Sequence, residues 1–150
     1  MNDPKAYLKQ IRRCNIHIDN KLVDINNLRS IALKITASMK PDGGSGTGNQ
    51  DKIGNIIAKI VDLENDLDRE IDSYVDLKRE IGEVVDRVKS ESQIQVLHKR
   101  YFEFKTWERI ACDMSMTCRN VWYIHGKALQ SVEAILNERK QADEGGTSHD

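Results

Sequence analysis

Apolar residues recur every seven positions along most of this chain and then give way to two short amphipathic segments. Ile11, Ile18, Ile25, Ala32 and Met39 form the first stripe, flanked by Leu8, Leu22, Leu28 and Ile35. Such a repeat predicts a long helix that buries one face against another helix. Asp3-Pro4 supplies its start, a capping carboxylate followed by the fixed φ of proline at the first helical position. Asn15 and Arg29 interrupt the companion positions, where a polar residue serves to fix register. A second stripe runs through Ile53, Ile60, Leu67, Tyr74, Ile81 and Val88, with Ile56, Leu63, Leu77 and Val84 between them and Glu70 as the exception. With Asp51 as its cap, this helix extends to about residue 90 and reaches roughly 60 Å at 1.5 Å per residue.

Between the stripes, residues 41–50 (Pro-Asp-Gly-Gly-Ser-Gly-Thr-Gly-Asn-Gln) read as a flexible link. A phosphate-cradling loop would need a preceding strand and a Gly-Lys-Ser/Thr ending, and the sequence offers neither. The link is short enough to fold the two long helices into an antiparallel hairpin. The same apolar stripe would also serve a homo-oligomer.

After Ser90 and Ser92 the elements shorten. A helix is expected from Gln93 to Phe104, carrying Ile94, Leu97, Tyr101 and Phe104. Apolar residues at 107, 110, 111 and 114 then stop at Ser115-Met116-Thr117 and resume at 121, 124, 128 and 129. Two amphipathic helices joined by a tight corner are the reading, with Thr106 and Thr117 as N-caps and Ala111 as the point of close approach. Ile110, Met114, Val121 and Ile124 fill the space between them, leaving Cys118, Arg119, Asn120, Trp122, Tyr123 and Gly126 to point outward from the second helix. Arg and Asn there suit base edges in a major groove, which the first turns of a recognition helix reach. From Leu97 to Val132, six Lys or Arg against three Asp or Glu leave +3, although the whole chain carries −1. That local excess is the footprint of a phosphate-binding surface. The candidate DNA-contacting set is therefore Thr117, Cys118, Arg119, Asn120, Trp122, Tyr123, Gly126 and Lys127, joined by Lys105 and Arg109. His125 lies on the same helix, where it could reach a phosphate, whereas Tyr101, Phe102 and Trp107 are expected to pack inside.

The run Thr106-Trp-Glu-Arg-Ile-Ala-x-x-Met-x-x-Thr-x-Arg-x-Val-x-x-Ile-x-x-Lys-Ala-Leu resembles the fourth conserved region of sigma-70-type RNA polymerase factors. With Leu97-x-x-Arg100-Tyr101 and the long N-terminal helices, the chain is similar to small phage sigma-like regulators, the ArpU and RinA type of late-operon activators. The sigma-like match spans about 35 residues, and the broader similarity most of the chain. It departs from the sigma pattern at Ser115, where glycine is usual, and at Trp122-Tyr123, where more polar residues are common. The resemblance implies a helix-turn-helix that reads a promoter element, with RNA polymerase as a further partner.

Composition narrows the alternatives. Aromatic residues make up only 5% and charged residues 31%, which suits long helices better than a thick globular core. The second long helix holds eleven acids against seven bases, −4, so it should repel DNA and leave docking to the C-terminal module. Interleaved charges of this kind form a solvated face, and no calcium-loop spacing accompanies them. Cys14, Cys112 and Cys118 lack paired spacing, and neither His98 nor His125 has metal-ligand partners in sequence. No cofactor, metal or membrane span is expected, and unpaired cysteines fit a reducing cytoplasm, which the resemblance implies is that of a bacterial host. No nucleophile, base and orienter can be assembled, so an enzyme is not expected.

The expected architecture is all-α: a helical-hairpin or coiled-coil stalk over 1–90, a sigma-like helix-turn-helix domain over 91–136 and a disordered tail over 137–150. The leading functional reading is a sequence-specific DNA-binding regulator of transcription that activates phage or prophage late genes with RNA polymerase. A phage terminase small subunit, which assembles as a packaging ring, is the second reading. A coiled-coil adaptor that binds protein and not DNA is the third. Mass in solution separates the ring from the regulator, and duplex binding at low salt separates the adaptor from both.

Overall fold

Side chains that accept otherwise unpaired amide hydrogens set where four of the helices begin. The computed structural model describes residues 3–39 and 47–146. Asp3 Oδ1 accepts from the amides of Lys5 at 3.0 Å and Ala6 at 3.3 Å and opens α1, Pro4–Ser38. Helix α2 spans Thr47–Asp86. Ser90 caps α3, Glu91–Leu97, by accepting from the Gln93 amide, and the chain continues as a π-helical turn over His98–Phe102. Thr106 accepts from the Arg109 amide and Thr117 from the Asn120 amide, each at 3.2 Å, starting α4, Trp107–Asp113, and α5, Cys118–Gly145. Both threonine caps are the ones the sequence nominates. Among the described residues there is no strand, and no helix is long and apolar enough to cross a membrane.

Several boundaries move. Helix α2 begins at Thr47, so Asp51 lies inside it and the last four residues of the expected link are helical; the rest of the link lies outside the described residues. The helix expected over 93–104 ends at Leu97, because the π turn re-aims the chain and Phe104 takes a left-handed backbone with φ 60. The end expected to be disordered over 137–150, of which 147–150 lie outside the described residues, is helical to Gly145. It is tied down there by Arg139 to Glu80 at 3.4 Å and Glu138 to Arg87 at 3.2 Å.

The chain packs as two units. One is Cys14–Tyr74, and the other joins the residues up to Arg13 to those from Val75 onward. The expected boundary at 90/91 therefore does not divide the packed units. A heptad pattern that continues through Tyr74 and Ile81 carries no mark where its partner changes.

In the first unit α1 and α2 pair antiparallel: Ile18, Ile25 and Leu67 are buried together, with Ile60, Leu63 and Tyr74 packed on them. Lys21 pairs with Glu70 and Arg29 with Glu64, both crossing between the helices in the same antiparallel register. Glu70, the break in the apolar stripe, thus has a cation opposite it. Leu22 is exposed, because the seam on α1 runs through Cys14, Lys21 and Leu28 on its way to Ile35.

In the other unit Leu8 and Ile11 of α1 and Ile81, Val84, Val85 and Val88 from α2 onward are buried. Around the corner, Val96, Ile110, Ala111 and Val121 form a core against which Trp107, Met114, Met116, Cys118 and Ile124 pack. Helices α3 and α4 both pack on α5.

Candidate nucleic-acid interface

The corner between α4 and α5 closes through backbone bonds. Ser115 stands at φ 54, its amide donates to Cys112 O at 3.2 Å, and the Met116 amide donates to Ala111 O at 2.9 Å. This is a Schellman end, in which a left-handed residue just past the helix lets the chain turn back and satisfy its last carbonyls. Ser115 takes up the position where glycine has no Cβ to strain. The turn then delivers Thr117 to the start of α5.

From that start the outward face of α5 carries Arg119, Asn120, Trp122, Tyr123, Gly126 and Lys127, all exposed. Trp122 and Tyr123 are 53% and 66% accessible, unusual for side chains of this size on a helix that buries its opposite face. A Cβ added at Gly126 would meet no heavy atom within 4 Å, so this glycine is not there to make room inside the protein. Lys127 Nζ stands 5.8 Å from the Tyr123 ring centroid, within cation–π reach. Thr117 is exposed, with its hydroxyl engaged as the cap. Cys118 departs from expectation: it is half-buried against the core formed by Val96, Ile110, Ala111 and Val121.

His125 is the clearest correction. It does not face outward but is buried, with Nε2 2.7 Å from the Tyr101 hydroxyl and its ring edge-on to Trp107 at 4.7 Å. Burial, then the cations of Lys5 and Arg100, hold the imidazole well below its ordinary value, at about 4. Burial pushes the Tyr101 phenol up to about 12. The ring is therefore neutral at pH 7, the phenol keeps its proton, and Tyr101 O–H donates to Nε2. Arg100 caps this aromatic group, its guanidinium 4.3 Å from the Trp107 ring centroid while Nη1 donates to Lys105 O at 2.9 Å.

Lys105 and Arg109 do not join the α5 face. They gather on Asp113, with Lys105 Nζ at 2.8 Å, Arg109 Nε at 3.2 Å and Lys99 Nζ at 3.8 Å from its carboxylate. Hydrogen bonding from Lys105 holds the Asp113 carboxyl below its usual range, and the same bond raises the Lys105 ammonium. Glu103 is lowered chiefly by its bond to His98 and also accepts Lys105 at 3.2 Å. Half of the six cations counted in this segment are thus drawn to one acid, and Arg100 is engaged with Trp107. Arg119 and Lys127 remain as the exposed cations of the α5 face. No sequence spacing announces this cluster, because Lys99, Lys105 and Asp113 meet only once the π turn and the loop after it have folded.

Among the described residues no three His, Cys, Asp or Glu side chains come together to hold a metal ion. Comparison with protein-family models, with curated proteins and with solved structures finds no match.

Proposed function

We propose that the protein is a sequence-specific DNA-binding regulator of transcription, in which the first turns of α5 enter a major groove. The observation that carries this reading is the exposed set Arg119, Asn120, Trp122 and Tyr123 at the capped start of a helix whose opposite side is buried against α3 and α4. Arg119 and Asn120 have the two-pronged geometry that distinguishes guanine and adenine edges. Exposed aromatic rings beside them offer apolar contact to thymine methyl groups. Lys127, two turns on from Arg119, supplies backbone phosphate contact. By its resemblance to sigma-like late-operon activators, the protein works with RNA polymerase on phage or prophage late promoters in the bacterial cytoplasm.

The test is selection of duplexes from a random pool by the purified full-length chain, followed by footprinting on the enriched sequence. Enrichment of one short motif and a protected major groove support the reading. An unenriched pool, with no duplex bound at low salt, contradicts it.

A further inference from the structure

Two helices packed side by side bury one seam between them and leave the rest of each surface to solvent. In the Cys14–Tyr74 unit that seam is thin: Ile18, Ile25 and Leu67 are its buried residues. Large apolar side chains remain outside it. Leu33 is 70% accessible, Ile57 51%, Val61 48%, Leu22 43% and Ile71 39%. Their placement is not scattered. At 100° per residue, Leu22, Arg29 and Leu33 lie roughly 60–100° round α1 from the buried seam. Ile57, Val61, Glu64, Asp68 and Ile71 lie roughly 60–140° in the same rotational sense round α2. In an antiparallel pair of right-handed helices, equal rotation from the seam brings both sets to the same side of the hairpin. The Arg29–Glu64 ion pair joins the two helices on that side.

The face thus has three apolar or ion-paired levels, with the exposed Asp68 between the first two. In the register that the Lys21–Glu70 and Arg29–Glu64 pairs set, Leu22 stands level with Ile71, Arg29 pairs with Glu64 at the next level, and Leu33 stands level with Ile57 and Val61 at the third. The two helices also differ in charge. Over residues 14–38, three Lys or Arg against two Asp or Glu give +1; over 47–74, three against seven give −4.

We infer that this face binds a second copy of the chain, the two hairpins stacking into a four-helix bundle about a two-fold axis parallel to the helices. That operation lays α1 of each copy over α2 of the other at the same height. Leu22 meets the other copy's Ile71, Leu33 meets the other copy's Ile57 and Val61, and Arg29 meets the other copy's Glu64. The mildly basic helix covers the acidic one, and each ion pair becomes half of an alternating four-charge ring. A two-fold axis across the helices would instead set Arg29 against Arg29 and Glu64 against Glu64, which like-charge repulsion disfavours. Exposed Ile16, Val23 and Ile31 lie off this face and take no part.

Sedimentation equilibrium of the full-length protein reads the result directly. The expected mass is twice the 17.2 kDa of one chain. Leu33→Glu with Val61→Glu, both at exposed positions, should keep the helical circular dichroism and fall to the single-chain mass. A mixing experiment isolates the contact between copies. Arg29→Glu chains carry two acids at the middle level and Glu64→Arg chains two bases, so each repels itself and the mixture should form heterodimers well above the statistical half. A single-chain mass for the wild type at high micromolar concentration overturns the inference. So does a ring of eight or more chains, a two-chain mass that survives the double substitution, or a mixture without heterodimer preference.

Discussion

Ser115 holds a left-handed backbone at φ 54 with a Cβ in the way. Placing an L-residue there costs about 1–2 kcal/mol relative to an unstrained conformation, and glycine avoids that cost while losing some of it to greater freedom in the unfolded chain. Ser115→Gly should therefore stabilise the protein by up to about 1 kcal/mol, measured as a higher midpoint in urea with unchanged slope. His125 and Tyr101 give a second expectation at this scale. An imidazole with a folded value of about 4 against 6.5 binds its proton more tightly when unfolded. Stability from His125 is then complete above about pH 6.5 and is lost as pH falls toward 4, about 3 kcal/mol in all. Thermal midpoints between pH 7 and 4 should fall along that course, and His125→Gln should flatten it. Tyr101→Phe leaves Nε2 buried without its donor and should cost about 1–3 kcal/mol at pH 7. Tyr101 reads as an interior residue in the sequence and is buried, but the inward turn of His125 could not be placed from sequence. A histidine beside Ile124 reads equally well as the edge of an apolar face or the start of a polar one, and its partners come from other elements.

At the level of elements, what the sequence made legible was local. The capping threonines, the corner and the inward Val121, Ile124 and Ala128 follow from residues within one or two turns of each other, and the structure places them as the pattern requires. The hairpin was legible as a pairing of two stripes, and Leu67→Ala at its buried seam should cost about 2–4 kcal/mol by chemical denaturation. Which companion residues face the seam was not legible: Leu22 and Arg29 turn out beside it, because a straight helix drifts from a seven-residue repeat by about 20° per heptad. The tail's helix was hidden for another reason. Glu138 and Arg139 are polar in sequence and acquire partners only from α2 and the residue that follows it. Gly126 tests α5 itself. With open space around it, Gly126→Ala should raise stability by about 0.5–1 kcal/mol through helix propensity. If the backbone there approaches a duplex closely, the same change weakens specific binding while strengthening the fold, a divergence that parallel melting and binding curves resolve.

At the scale of the whole molecule, little positive charge remains exposed on the α5 face. Sequence counting suggested a broadly basic module, but Asp113 draws in Lys99, Lys105 and Arg109, leaving Arg119 and Lys127 on that face. Each phosphate neutralised contributes roughly −0.9 to the slope of log K against log salt, so duplex binding should show a shallow slope on the order of −2 per chain. On the proposed function, preference for one duplex over another would then come from base contacts. The most direct measurement is equilibrium binding of wild type, Arg119→Ala and Lys127→Ala to the selected duplex and to random duplex at one salt concentration. Arg119→Ala should lose about 1–3 kcal/mol on the selected duplex and little on random DNA, while Lys127→Ala weakens both alike. Equal losses on both duplexes for Arg119→Ala, or no duplex binding by the wild type, would contradict a role for α5 in reading DNA.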